Sequence, residues 1–208
     1  MTNFDQRAKD WDSNPKKVER ARVVAEAIRA GLPRRPGLTG LEIGCGTGLL
    51  SFALQDDFAQ ITLADTSQGM LEVLAAKIAD AGLGHFSPIR LDLAHDPLPA
   101  ARFDATYSLM TLHHIPNTDA FLRRSYEILN PGGHLFIADL DAEDGSFHRE
   151  ATSDVYLGFQ RNDLQRRAAA AGFKNIQFST VFTVHKNDRD YPLFLLVAKT
   201  KSSRGADC

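Results

Sequence analysis

The segment Leu41-Glu42-Ile43-Gly44-Cys45-Gly46-Thr47-Gly48 constrains the fold of this chain more than any other. An apolar strand runs into three alternating glycines and then into an apolar helix start, Leu49, Leu50, Phe52, Ala53 and Leu54. Glycine tolerates positive φ and lets the backbone approach a ligand closely, so a strand, glycine turn and helix in succession belong to an open α/β sheet. In such sheets ligands bind beyond the carboxyl ends of the strands, which marks this turn as a cofactor site.

Downstream, short apolar runs alternate with helix-length segments. The pattern predicts strands over 40–43, 61–64, 85–91, 103–109 and 134–139, and helices over 49–55, 68–81, 119–129 and 163–171. Leu71, Leu74, Ile78 and Ala81 recur at helical spacing, and Asn162 and Gly172 supply a start and a stop for the last helix. Apolar strands alternating with helices argue for a parallel sheet covered on both faces. Two closing β-like runs, 178–184 and 193–199, are separated only by residues 185–192. A parallel pair needs a crossover of about a dozen residues or more, so this pair is expected to be antiparallel. Ahead of the glycine turn, Val18, Ala21, Val24, Ala25 and Ile28 form one helical stripe that Gly31 and Pro33 end. Residues 1–33 therefore read as a helical cap or lid within the same domain, 34–200 as the core, and 201–208 as a disordered tail.

Spacing inside the turn separates cofactor classes. A dinucleotide site wants G-x-G-x-x-G, with a pyrophosphate at the helix N-terminus. After Gly44 and Gly46 the third glycine would fall at position 49, which is Leu49. Glu42 at the strand end would repel a pyrophosphate and suits a ligand bearing an ammonium and a sulfonium. No Gly-Lys-Ser/Thr follows, so this is not a P-loop. A second acid, Asp65, ends the next strand 19 residues after Gly46, where an acid accepts from ribose hydroxyls. The alternative is that Asp65, with Thr66 and Ser67, caps the following helix.

These residues resemble the motifs of class I S-adenosylmethionine-dependent methyltransferases. LEIGCGTG is similar to that family's first motif, and Asp65 in LADTSQGML stands where its ribose-binding acid stands. LDLAHDPLP resembles the segment whose acid and next residue hold the adenine, here Asp92 and Leu93. FDATYSLMTLHHI resembles the fourth strand and its extension, LNPGGHLFIADL the fifth, and AGFKNIQFSTVF with LFLLVAKT the closing hairpin. The similarity runs in the family's order over residues 38–200, and is greatest to the small-molecule group that includes the ubiquinone and menaquinone biosynthesis methyltransferases. It implies an α/β, Rossmann-like three-layer sandwich with a seven-stranded sheet in the order 3-2-1-4-5-7-6, strand 7 antiparallel. It further implies S-adenosylmethionine as cofactor and S-adenosylhomocysteine as product. The cofactor pocket is then expected from Glu42, Gly44, Cys45, Gly46, Gly48, Asp65, Thr66, Met70, Asp92, Leu93 and Leu109, with Trp11 from the N-terminal segment.

Methyl transfer from a sulfonium is an in-line displacement whose chief demand is alignment, which can supply about 7–11 kcal/mol. A general base is needed only where the nucleophile still holds its proton. His113 and His114 after the fourth strand are the candidate bases, a shared packing role being the alternative. Asp139, Asp141 and His148, at or beyond the end of the fifth strand, are candidate acceptor contacts, against the alternative of a solvated acidic loop. That loop lacks fixed ligand spacing, so no metal site is expected. Phe4 and Trp11 either fold over the site as a lid or dock the terminus on the core.

Composition excludes several classes. A net charge of −2, with both signs interspersed, leaves no electrostatic footprint for nucleic acid or an anionic membrane. Cys45 and Cys208 imply no disulfide framework, and the longest apolar run, 193–198, is too short to span a bilayer. The polar start MTNFDQRAKDWD lacks a signal-peptide core. The expectation is a cytoplasmic monomer or homodimer with a small-molecule partner and neither nucleic acid nor membrane. The sequence lacks the Asn/Asp-Pro-Pro-Tyr/Phe motif of amino methylation and the Pro-Cys nucleophile of cytosine carbon methylation. The expected activity is methyl transfer to an oxygen, nitrogen or carbon nucleophile of a small metabolite. The alternatives are a non-catalytic S-adenosylmethionine-binding sensor or scaffold, and a nicotinamide-dependent oxidoreductase, which Leu49 disfavours.

Overall fold

The structure, a computed structural model, describes residues 3–147, 156–186 and 188–202. Among these, strands β1 (Thr39–Ile43), β2 (Gln60–Asp65), β3 (Phe86–Arg90), β4 (Phe103–Leu109), β5 (Leu129–Leu140), β6 (Lys174–Lys186) and β7 (Arg189–Lys199) form one sheet. Its order is β3-β2-β1-β4-β5-β7-β6. The first five strands pair in parallel, and β7 runs antiparallel to both its neighbours. Helices α1 (Asn3–Arg7), α2 (Pro15–Gly31), α3 (Leu49–Ala53), α4 (Gln68–Ala81), α5 (Thr118–Ile128) and α6 (Arg161–Ala170) complete the layers. Short 3-10 turns occupy Ala8–Ser13 and Leu112–His114.

Successive side chains of a strand point to opposite faces, and here both faces are dry. Along β5, Leu135 and Ile137 join Phe121 and Leu122 of α5 and Leu164 and Ala168 of α6. Phe136 and Ala138 point the other way and join Val24 and Ile28 of α2, Leu50 of α3 and Leu71 and Leu74 of α4. The sheet is therefore the middle of three layers. Among the described residues no helix is long and apolar enough to cross a membrane.

Asn14 caps α2 by accepting from the Lys16 amide, and Pro15 opens it. Ala21, Val24, Ala25 and Ile28 are buried as expected, but Val18 is 44% exposed, since the first turn of α2 stands clear of the sheet. Because α2 ends where the chain turns into β1, those first turns lie at the carboxyl ends of the strands.

Several boundaries differ from the sequence reading. Helix α6 starts at Arg161 after Gln160, so Asn162 lies inside its first turn rather than capping it. Strand β5 begins at Leu129, not His134, and a register shift between Phe103 and Ala105 accommodates the Pro131–Gly133 stretch. The closing hairpin is longer than expected: pairing continues through His185 with Asp190 and Lys186 with Arg189. Those ends are polar on both faces, so the backbone ladder persists where the side chains give no alternation to read. Of the tail expected to be disordered, residues 203–208 lie outside the described residues.

Candidate active site

The glycine turn leaves β1 with its backbone turned toward β2. The amides of Gly44 and Cys45 both donate to the Ala64 carbonyl, at 2.8 and 3.0 Å, and the Gly46 amide donates to Asp65 Oδ2 at 2.7 Å. Gly44 has φ +68°, and a Cβ there would stand 2.2 Å from Thr111 Cγ2, so only glycine fits. Gly46 differs: a Cβ would meet nothing closer than Met70 Sδ and Trp11 Nε1, both 3.9 Å away. The turn is thus packed from behind at Gly44 and open in front at Gly46. Ser67 caps α4 through Met70, while Asp65 accepts from the amides of both Gly46 and Ser67. Burial raises the Asp65 carboxyl above its ordinary range, and the amides of Ser67, Gly46 and Thr66 pull it back.

Glu42 is turned into the layer. The sequence reading set its carboxylate against the ligand's ammonium, but the side chain is 2% exposed. Its Oε2 accepts from the Ser51 amide and hydroxyl, and Ser51 Oγ reaches the Tyr107 hydroxyl at 2.9 Å. Burial pushes the Glu42 pKa up to about 8, the Ser51 hydrogen bonds opposing it. Glu42 therefore ties β1 to α3 from inside the layer. Cys45 is likewise buried, and burial drives its thiol pKa well above the ordinary value.

The N-terminal segment lies across this turn. Asp12 accepts from the Thr47 hydroxyl, and Lys77 of α4 donates to Asp12 at 2.6 Å and to the Thr47 carbonyl at 2.7 Å. Asp5 accepts from the Ser67 hydroxyl and the Gly69 amide at 2.6 and 3.0 Å. A Cβ on Gly69 would stand 2.9 Å from the Asp5 backbone. Trp11 carries Lys17 on its ring and touches Phe4 edge-on, and Phe4 meets His114 edge-on at 5.3 Å. None of these partners is adjacent in sequence, and no periodicity announces them. Asp5, Asp12, Lys77 and Thr111 were accordingly missed.

His113 and His114 form the other wall, on the 3-10 turn after β4. Thr111 joins that turn to the glycine turn by donating to the Gly44 carbonyl at 3.2 Å. The His113 and His114 rings lie 4.1 Å apart. His113 is 1% exposed, and its Nδ1 meets Asp139 Oδ1 at 2.6 Å. Burial would raise the Asp139 carboxyl, but the charge and hydrogen bond of His113 and the amides of Leu140 and His113 hold it below the ordinary range.

Asp139, expected as an acceptor contact, is fully buried against His113. Asp141 is paired with Arg161 at 2.6 Å and lines a separate cleft of about 290 Å³ with Ala142, Phe159 and Gln160. No glycine-turn residue lines that cleft, because the Arg161 fork draws Asp141 toward α6. His148 lies outside the described residues.

At the far end of the turn, the Leu91 amide donates to the Asp65 carbonyl and brings the end of β3 alongside. Asp92 is half-exposed and accepts from the Ala94 amide and His95, whereas the Leu93 side chain is buried in the core. Thr66 is exposed at the end of β2, Met70 is buried beside Gly46, and Leu109 is partly buried. Among the described residues no group of three or more His, Cys, Asp or Glu is arranged to hold a metal ion.

Comparison with known proteins points the same way. Residues 41–135 match the family described as methyltransferase domain. The ubiquinone biosynthesis O-methyltransferase of Xanthomonas axonopodis pv. citri is 31% identical over 152 residues, covering 71% of this chain and 62% of that protein. The ubiquinone/menaquinone biosynthesis C-methyltransferase UbiE of Shewanella sediminis is 32% identical over 109 residues, covering 50% of this chain and 43% of that protein. This chain spans about half the length of the curated relatives it matches. Phosphoethanolamine N-methyltransferase 2 of Haemonchus contortus, solved with S-adenosyl-L-methionine, superposes with a TM-score of 0.75 at 16% identity. That match covers 97% of this chain and 61% of the other, and is a likeness of fold.

Proposed function

We propose that the chain is a class I, S-adenosylmethionine-dependent methyltransferase that moves a methyl group onto an oxygen, nitrogen or carbon nucleophile of a small molecule, a reading supported by the methyltransferase-domain match and the ubiquinone biosynthesis O-methyltransferase relative. The observation that carries this reading is a continuous wall of contacts. It runs from Asp65 and Gly46 through Trp11 and Phe4 to His114, His113 and Asp139. The relatives named above are O- and C-methyltransferases, so the choice of nucleophile falls to the acceptor pocket rather than the fold.

The residues fit the cofactor. Gly46 gives the backbone approach, Gly44 and Gly48 let the turn close with positive φ against Thr111 and Leu74, Asp65 offers a carboxylate to ribose, and Met70 and Trp11 flank the open face of Gly46. Asp92 and Leu93 stand on the adenine side. When bound, S-adenosylmethionine supplies an electrophilic methyl on a sulfonium. The chain's own part is alignment, exclusion of water by residues 3–13, and removal of a proton where the nucleophile retains one. Asp139 holds His113 at Nδ1, so proton exchange with the acceptor falls to Nε2. On this reading residues 1–33 are the lid of the core formed by 34–200, working as a monomer or homodimer in the cytoplasm.

The test is transfer of labelled methyl from S-adenosylmethionine into a cell extract, separated into metabolites and macromolecules. Label is expected among the metabolites, and His113→Gln should cut turnover far more than S-adenosylhomocysteine affinity. Label confined to protein or nucleic acid would refute the small-molecule acceptor, and equal losses of turnover and affinity would make His113 a packing residue.

A further inference from the structure

The first turns of α2 hold a cation that the reading above leaves unused. Arg20 stands three residues after Lys17 and four before Val24, on the side of α2 that meets the sheet. Its Nε is out of contact with solvent and has no hydrogen-bond partner. Arg20 makes no hydrogen bond or ion pair with any of the described residues. A guanidinium presents five N–H donors in a fixed fork; here Nε is shut away from water without a partner, which is costly, while the two terminal nitrogens make no hydrogen bond within the described residues and are left to a ligand or to water.

Its surroundings select the ligand. Burial lowers the Arg20 pKa to about 10, and the acid that opposes this is Asp139, the partner of His113. Arg20 thus remains charged at neutral pH, near enough to Asp139 behind the histidine wall to feel its charge. Lys17, one turn earlier, is the cation nearer the glycine turn, because it sits on Trp11, which lies against Gly46. The two cations divide the ends of the site between them.

We propose that Arg20 is the receptor for a carboxylate on the methyl acceptor. The planar fork matches a carboxylate with two parallel N–H···O bonds, which a lysine cannot do. A single negative charge also suits the place better than a phosphate dianion, since Asp139 lies near and repels added charge. Bound there, the carboxylate anchors the acceptor so that its nucleophilic atom faces the space between His113 and the glycine turn. This inference rests on the methyl-transfer reading of the same site.

The full chain, loaded with S-adenosylhomocysteine, is titrated calorimetrically with benzoate and hexanoate, each against its neutral amide. At least one carboxylate is expected to bind at least tenfold tighter than its amide. Arg20→Met should bring that ratio to within twofold of unity while S-adenosylhomocysteine affinity stays within twofold of wild type. Arg20→Lys keeps the charge without the fork and should retain only part of the preference, which carries the test if the methionine variant melts early. A preference unchanged by either substitution, or no binding of either carboxylate, overturns the proposal. So does a loss of S-adenosylhomocysteine affinity that matches the loss for the carboxylate, which would assign Arg20 to the cofactor's own carboxylate. Wild-type chain that binds no S-adenosylhomocysteine fails the underlying methyl-transfer reading instead, so the two failures are told apart.

Discussion

Replacing Glu42 by glutamine separates a strut from a ligand contact, and the outcome can be worked from its burial. Glu42 in the folded chain titrates at about 8, against 4.5 for the ordinary side chain. Between those values the unfolded chain has given up a proton that the folded protein keeps. Stability is therefore fully present below pH 4.5 and falls as pH rises toward about 8. Each pH unit in that window is worth about 1.4 kcal/mol, so from pH 5.5 to 7.5 the wild type should lose about 2–3 kcal/mol through this group. Glutamine has no proton to lose, and its carbonyl still accepts from Ser51, so Glu42→Gln should remove that slope. Other groups, among them His134, whose pKa burial and Lys199 lower to about 4, slope the other way but are common to both proteins and cancel in the difference. Urea unfolding of both proteins at half-unit steps of pH measures that difference directly. S-adenosylhomocysteine affinity should change less than threefold. Parallel stability profiles, or a tenfold loss of affinity at unchanged stability, would refute the strut and restore Glu42 as a direct contact.

Gly44→Ala should cost about 2–4 kcal/mol in urea unfolding, from its positive φ and the 2.2 Å approach to Thr111, and Thr111→Ala should recover only the steric part; a loss below 1 kcal/mol would contradict the packing described. Asp65→Ala should weaken S-adenosylhomocysteine binding at least tenfold by calorimetry while the fold survives, and unchanged affinity would confine Asp65 to its amide bonds with Gly46 and Ser67. Asp12→Ala removes the partner of Thr47 and Lys77, so Trp11 emission should shift to the red and residues 3–13 should become easier to cleave. Global stability should fall by no more than about 1 kcal/mol, since that ion pair is partly exposed. Blue Trp11 emission and unaltered cleavage would show that the cover is held by its ring contacts alone.

Much of this architecture is local in origin. The strand, glycine turn and helix over 39–53, the capped helix at 68–81 and the strand at 103–109 follow from periodicity, caps and glycine spacing, which act between neighbours along the chain. The short link between the last two strands likewise dictates their antiparallel pairing. What the chain could not disclose is which side of each strand end faces a ligand. Glu42 and Asp65 are both acids at strand ends, yet one points into the dry layer against Ser51 while the other reaches the open turn. Asp139 and Asp141 differ in the same way, drawn to His113 and to Arg161 from opposite directions. Those directions depend on partners 9, 26 and 20 residues away that only packing brings together. The cover formed by Asp5, Asp12 and Lys77, and the Arg20 guanidinium that has no partner among the described residues, arise where the N-terminal segment and the first turns of α2 meet the strand ends. Local sequence determines the elements and the cofactor turn; long-range desolvation and pairing decide which polar groups stand at the site and which hold it up.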